Sequence, residues 1–151
     1  MSALIVRLRR PDPGVSVHVR EHEFVADVLP PSGGDAGPTP HDLYDSALAS
    51  CKAMTVALYA SRKGIPVEDI EVSVERDASR EHDGEYSLAV RLRIGGSVSE
   101  SQLRELDAVA LKCPIHKLMT LAKTNISTSL ERTACDRSHF PGAHFANPQQ
   151  T

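Results

Sequence analysis

Two cysteines stand where a thiol can do chemistry. Cys51 lies within HDLYDSALASCKAMTVALYASRKG, His41 to Gly64, walled in by Ala, Leu, Met and Tyr, and Cys113 lies within LKCPIHKLM, directly before Pro114. A thiol attacks as its thiolate, so each position is judged by what would hold that charge. Taken alone, Cys51 reads first as packing, because free cysteine behaves as a small hydrophobe and is among the most buried residue types. Its own helix gives it no help. Eleven residues past Pro40 is about 16 Å along a helix axis, beyond the reach of the N-terminal dipole. A thiolate at Cys51 therefore requires a cation brought in from a strand or loop, an arginine first among them. Cys113 is placed differently. With Pro114 as the first residue of a short helix, Cys113 becomes its N-cap, where free backbone N–H groups favour a thiolate directly; the competing reading is a buried cysteine at a helix kink.

Other ligating residues carry less. His116 follows Cys113 in a Cys-x-x-His spacing, but without a second pair this is a weak zinc signal, and a solvated histidine on a helix face is the plainer reading. Cys135, His139 and His144 fall in a tail of no clear period, where chance composition explains them. No metal and no cofactor are expected.

The chain has 151 residues, 40% hydrophobic and 25% charged, with a formal charge of -3. That length suits one domain able to bury a real core. The weak negative charge gives no basic field for nucleic acid or acidic membranes. The N-terminal MSALIVRLRRPDPG has too short an apolar run, followed and not preceded by arginines, for a signal peptide, and no stretch approaches a membrane span. A cytoplasmic protein is expected, and its three cysteines argue against a disulfide framework and for thiols kept reduced until chemistry oxidises them.

The elements that must position the thiols follow from periodicity and punctuation. LIVRLRR (4–10), VSVHVR (15–20) and HEFVADV (22–28) alternate or run apolar and predict three strands. LPPSGGDAGPTP (29–40) holds four prolines and three glycines, which excludes either regular element and predicts a loop, ordered or mobile. Thr39 as N-cap, Pro40 at the first position and Asp42 in a capping-box spacing start a long helix; Gly64 stops it, with Pro66 beyond. Leu43, Ala47, Cys51, Met54 and Leu58 give it one apolar stripe, and Tyr44, Leu48, Thr55 and Tyr59 a second. DIEVSVERDA (69–78) and YSLAVRLRIGG (86–96) flank a polar SREHDGE and predict a hairpin. Ser99 caps a second helix, Pro114 breaks it at Cys113 and starts a short helix over 114–123, and NISTSLER (125–132) alternates as a last strand.

The expected architecture is α+β: a mostly antiparallel sheet covered on one face by helices, with the long helix central. Residues 1–132 are expected to form a single domain and residues 133–151 a polar C-terminal tail. One sheet buries only one side of a helix with two apolar stripes, so a homodimer with helices between sheets is expected.

From about His22 to Glu131 the chain resembles the OsmC/Ohr family of thiol-dependent peroxide reductases, most closely its OsmC-like branch. The segment from His22 through the Pro/Gly loop to Gly64 looks like the family's approach loop and central helix. LKCPIHKLM looks like its second-cysteine segment, at a similar separation from the first. The resemblance implies an OsmC-like fold in an intertwined homodimer with sites at the subunit interface. It implies that Cys51 cleaves an organic hydroperoxide and becomes a sulfenic acid, that Cys113 condenses with it to a disulfide, and that an external dithiol reopens the bond. It also implies an acidic residue at the helix start that orients an arginine against the sulfur. Here that region reads Pro40-His41-Asp42-Leu43, so Asp42 either substitutes for the family's glutamate or merely caps the helix. The Pro/Gly loop holds no arginine, and Arg20, just before the third strand, is the nearest candidate. The alternative function is a dimer of the same fold that binds a small ligand or senses redox state without turnover.

Overall fold

The computed structural model describes residues 4–8 and 14–132. Among these residues the fold is α+β, with two antiparallel sheets and three α-helices. Strands β1 (Leu4–Leu8), β2 (Val15–Val19) and β3 (His22–Ala26) form a three-stranded meander in the order β1-β2-β3. Arg20 takes a left-handed φ of 54° in the two-residue turn between β2 and β3. Strands β4 (Val67–Asp77) and β5 (Ser87–Gly96) form a separate hairpin, with Glu71 opposite Arg93 and Val74 opposite Val90. Where one covered sheet is expected there are thus two, and the helices pack chiefly on the β4–β5 hairpin. The meander is covered only in part within its own chain: Val17 and Ala26 are buried, while Leu4, Ile5, Val6 and Leu8 of β1 are all exposed.

The loop over 27–39 is ordered around a carboxylate. Asp27 is buried and accepts backbone N–H groups from Val28 at 2.7 Å, Gly34 at 3.0 Å and Ala36 at 3.0 Å. The hydrogen bond from Ala36 foremost, with those from Val28 and Gly34, holds its pKa below the ordinary carboxylate value. Gly37 is required by close approach, since a Cβ there would sit 2.1 Å from the Val25 carbonyl oxygen.

Helix α1 (Pro40–Lys63) begins and ends as its punctuation predicts. The Asp42 N–H donates to Thr39 Oγ1 at 3.2 Å while Asp42 Oδ2 accepts the Thr39 N–H at 3.0 Å, a reciprocal capping box. Gly64 closes the helix at φ 65°, a conformation only glycine adopts without strain. The buried stripe differs from the expected pair: it is Asp45, Leu48, Lys52, Val56 and Ala60, while Met54 and Leu58 are 58% and 57% exposed. Apolar pattern alone cannot choose among the faces of a helix that is apolar on several; the hairpin and α2 choose, by packing on the stripe that holds two charges.

Helix α2 (Glu100–Ala110) starts at a second capping box, between Ser99 and Gln102. Its Leu106 and Ala110 join Val56, Ala60 and Ile65 in the core, with Ile70, Leu92 and Ile94 of the hairpin packed against them. Removing such a side chain costs about 2–5 kcal/mol, so this cluster anchors α1 and α2 to each other. The chain breaks at Cys113 as Pro114 dictates, and α3 (Pro114–Thr120) follows. The predicted strand over 125–132 is absent: no regular element occurs there, and Ile126 and Leu130 are 85% and 98% exposed. Alternation specifies a strand only where another strand offers a ladder, and none lies alongside among the described residues. The tail from 133, with Cys135, His139 and His144, lies outside the described residues.

Candidate active site

α1 contributes Cys51 from its middle, and the break before α3 contributes Cys113. Pro114 occupies the first position of α3, so Cys113 is its N-cap, and the Cys113 carbonyl oxygen accepts the Lys117 N–H at 3.2 Å. Packing of α3 on α1 brings the two thiols, distant in sequence, close enough to act on each other's ionisation. Both thiols are free; Cys51 is partly exposed and Cys113 fully buried.

Their titrations are pushed in opposite directions. Burial alone would raise the Cys51 thiol, but hydrogen bonds from the Cys113 thiol and the Ile115 backbone N–H, aided by the charge of Lys52, outweigh it and hold Cys51 below the ordinary thiol value. The Thr55 hydroxyl also lies within reach of the sulfur, yet it has one proton and donates it to the Cys51 carbonyl oxygen at 2.7 Å. For Cys113, burial comes first and the bond to Cys51 second, and both raise its pKa, with the His116 and Ile115 N–H groups offsetting part. One partly exposed thiol inclined to ionise and one buried thiol inclined to stay protonated form an asymmetric pair.

The help for Cys51 does come from another element, but as N–H and S–H donors at the start of α3 and not as an arginine. The groups acting on the sulfur are Cys113, Ile115, Thr55 and Lys52, and Arg20 is not among them; it sits in the turn of the meander. Asp42 both caps and clamps. Its Oδ2 accepts the Thr39 hydroxyl at 2.7 Å, and its Oδ1 accepts Arg76 Nη2 at 2.5 Å. The Thr39 hydroxyl first, then Arg76, lower its carboxyl to about 2. Arg76, from β4, also donates through Nε to Asp45 Oδ2 at 2.6 Å, and Tyr86 donates to Asp45 Oδ1 at 3.0 Å. An acid-held arginine thus exists at the helix start, but it comes from the hairpin and does not act on Cys51.

Sequence reasoning missed Arg76 and Lys52. For Arg76 no local signal existed, because a strand arginine next to an aspartate is decided by tertiary contact. Lys52 did leave one: the four-residue spacing Leu48, Lys52, Val56, Ala60 runs a lysine through an apolar stripe. Its side chain is 4% exposed, and Nζ donates to the Ala110 carbonyl oxygen at 2.9 Å. Among the described residues no group of three or more His, Cys, Asp or Glu is gathered to hold a metal, and no helix is long and apolar enough to cross a membrane.

Comparison with known proteins agrees with this architecture. The family model described as OsmC-like protein matches residues 33–129, which include both cysteines. The fold is similar to an OsmC-like protein from Mycoplasma pneumoniae, at 22% identity and TM-score 0.66, covering 79% of this chain and 86% of that one. It is similar to an OsmC-like protein of unknown function from Vibrio cholerae, at 17% identity and TM-score 0.64, covering 78% and 92%. A third similar structure is the organic hydroperoxide resistance protein OhrB of Bacillus subtilis, at 21% identity and TM-score 0.55, covering 80% and 90%. Among the curated proteins none matches the sequence.

Proposed function

We propose that this chain, which belongs to the family of OsmC-like proteins, reduces organic hydroperoxides with its two thiols and an external dithiol. The observation that carries this reading is the pair of neighbouring thiols shifted in opposite directions, the more exposed one toward its thiolate. The Cys51 thiolate attacks the peroxide: an S–O bond forms, the O–O bond breaks, the alkoxide takes a proton and leaves as the alcohol, and Cys51 becomes a sulfenic acid. The charge that raised Cys113 is then gone. The Cys113 sulfur attacks Cys51, an S–S bond forms and water leaves. A dithiol reduces the disulfide, becomes oxidised itself, and returns both cysteines to thiols. No resident metal or cofactor takes part in this cycle. Asp42 holds Arg76 at the head of α1, and a role for it at the thiol site is a proposal from family resemblance. For Arg20 a role at the site remains a proposal from family resemblance alone.

The working unit in this reading is a homodimer. Support comes from apolar surface that one chain leaves open: Met54 and Leu58 on α1, Leu4, Ile5, Val6 and Leu8 on the meander, and Ile126 and Leu130 after α3. A monomer in sedimentation at micromolar concentration contradicts it.

The deciding experiment is consumption of cumene hydroperoxide by the full chain with dithiothreitol. The expected result is turnover above the dithiol alone, abolished in Cys51→Ser; absence of turnover in the unaltered chain rejects the reductase. Cys113→Ser is expected to complete one reaction and strand Cys51 as an oxidised acid visible by mass. An undiminished steady-state rate in that variant rejects the resolving role.

A further inference from the structure

Three charged side chains are buried among the described residues: Asp27, Asp45 and Lys52. The two aspartates are answered in full, Asp27 by three backbone N–H groups and Asp45 by Arg76 and Tyr86. Lys52 is not. Its ammonium has three N–H donors, and one of them is spent, on the Ala110 carbonyl oxygen at 2.9 Å. No carboxylate pairs with it among the described residues. Ala110 ends α2, so the ammonium meets the negative end of that helix. A helix terminus supplies about half a charge, which explains where Lys52 is aimed and leaves part of a full charge unanswered.

Lys52 also lines a cavity of about 500 Å³. This is the size range of small-ligand sites. Leu88 and Val90 of β5 and Met119 of α3 supply an apolar wall, with His116 on the α3 side and Asp107, exposed, at the rim. Neither cysteine lines it. A buried cation with unspent donors, beside a cavity large enough for a ligand and walled on one side by apolar side chains, is costly to keep unless something anionic completes it.

We infer that this cavity is a binding site for a small organic monoanion, a carboxylate with an aliphatic body, seated on Lys52 Nζ with its chain against Leu88, Val90 and Met119. One ammonium matches one carboxylate, and Asp107 at the rim disfavours a dianion such as phosphate. The charge of Lys52 also acts on Cys51, but neither cysteine lines the cavity, and binding of the carboxylate needs no thiol chemistry.

The test is isothermal titration of the full-length protein with octanoate and with octanamide, which has the same chain and no charge. Octanoate is expected to bind about tenfold tighter or more, the effect of one paired charge. Lys52→Met, which keeps the buried stem, is expected to erase that preference, and Lys52→Arg to retain most of it. The same preference is expected in Cys51→Ser, so failure of the reductase reading leaves this result standing. No saturable octanoate binding, equal binding of both compounds, or an unchanged preference in Lys52→Met overturns the proposal. Should Lys52→Met fail to fold, the octanoate-to-octanamide comparison and a shift of the Lys52 side-chain amine NMR signal on octanoate addition decide it.

Discussion

The head of α1 and its middle treat buried charge in opposite ways. At the head, Asp45 lies between Arg76 Nε at 2.6 Å and the Tyr86 hydroxyl at 3.0 Å, while Asp42 binds the other arm of the same guanidinium and closes the capping box. About two turns further on, Lys52 on the same buried stripe has one carbonyl, and Cys51 beside it leans on donors from α3. The lesson is one of assignment. A charge whose partners are complete within the chain is architecture, and a charge left partly answered beside a cavity or a reactive sulfur is where chemistry or a ligand enters.

That contrast is open to attack by substitution. Asp45→Ala removes the shared acceptor of Arg76 and Tyr86 in a half-buried setting and is expected to cost about 2 kcal/mol in urea denaturation. A cost under about 0.5 kcal/mol would make the head of the helix no more tightly specified than its surface. Asp42→Asn comes next, at about 1 kcal/mol near neutral pH, the usual worth of a cap; solvent screens its exposed arm to Arg76. Its pH dependence has a fixed sign. The folded carboxyl is lowered from 3.8 to about 2, so its contribution is complete above the ordinary value and fades as pH falls through the folded one. The gap between the unaltered chain and Asp42→Asn should therefore close between those two pH values, and a gap that persists at lower pH contradicts the clamp. The smallest effect is expected at the middle: Lys52→Met should be neutral or stabilising, within about 1 kcal/mol, because an isosteric apolar chain removes an incompletely answered buried charge. A large loss there would mean that Lys52 is structural after all.

Much of the frame was legible in the residues. Thr39, Pro40, Asp42 and Gly64 bound α1, Ser99 starts α2, and Pro114 sets the break that makes Cys113 an N-cap, because these depend on hydrogen bonds and backbone geometry within a few residues. The hairpin over 67–96 was legible for the same reason. The strand expected over 125–132 failed because its alternation, Ile126 to Leu130, finds no ladder. Of the two apolar stripes expected on α1, packing kept Leu48, left Met54 and Leu58 exposed, and buried Asp45 and Lys52.

By itself, then, the sequence determined the order of the elements through α3 and where the helices start and stop. All of these are local or compositional properties. Only the tertiary structure decided that Cys113 and Ile115, and not an arginine, face the Cys51 sulfur, that Arg76 crosses from the hairpin to Asp42 and Asp45, and that Lys52 points into a cavity. Each of these is a contact between elements far apart in the chain. Its direction is fixed by how helices and strands pack, and no spacing along a single segment encodes it.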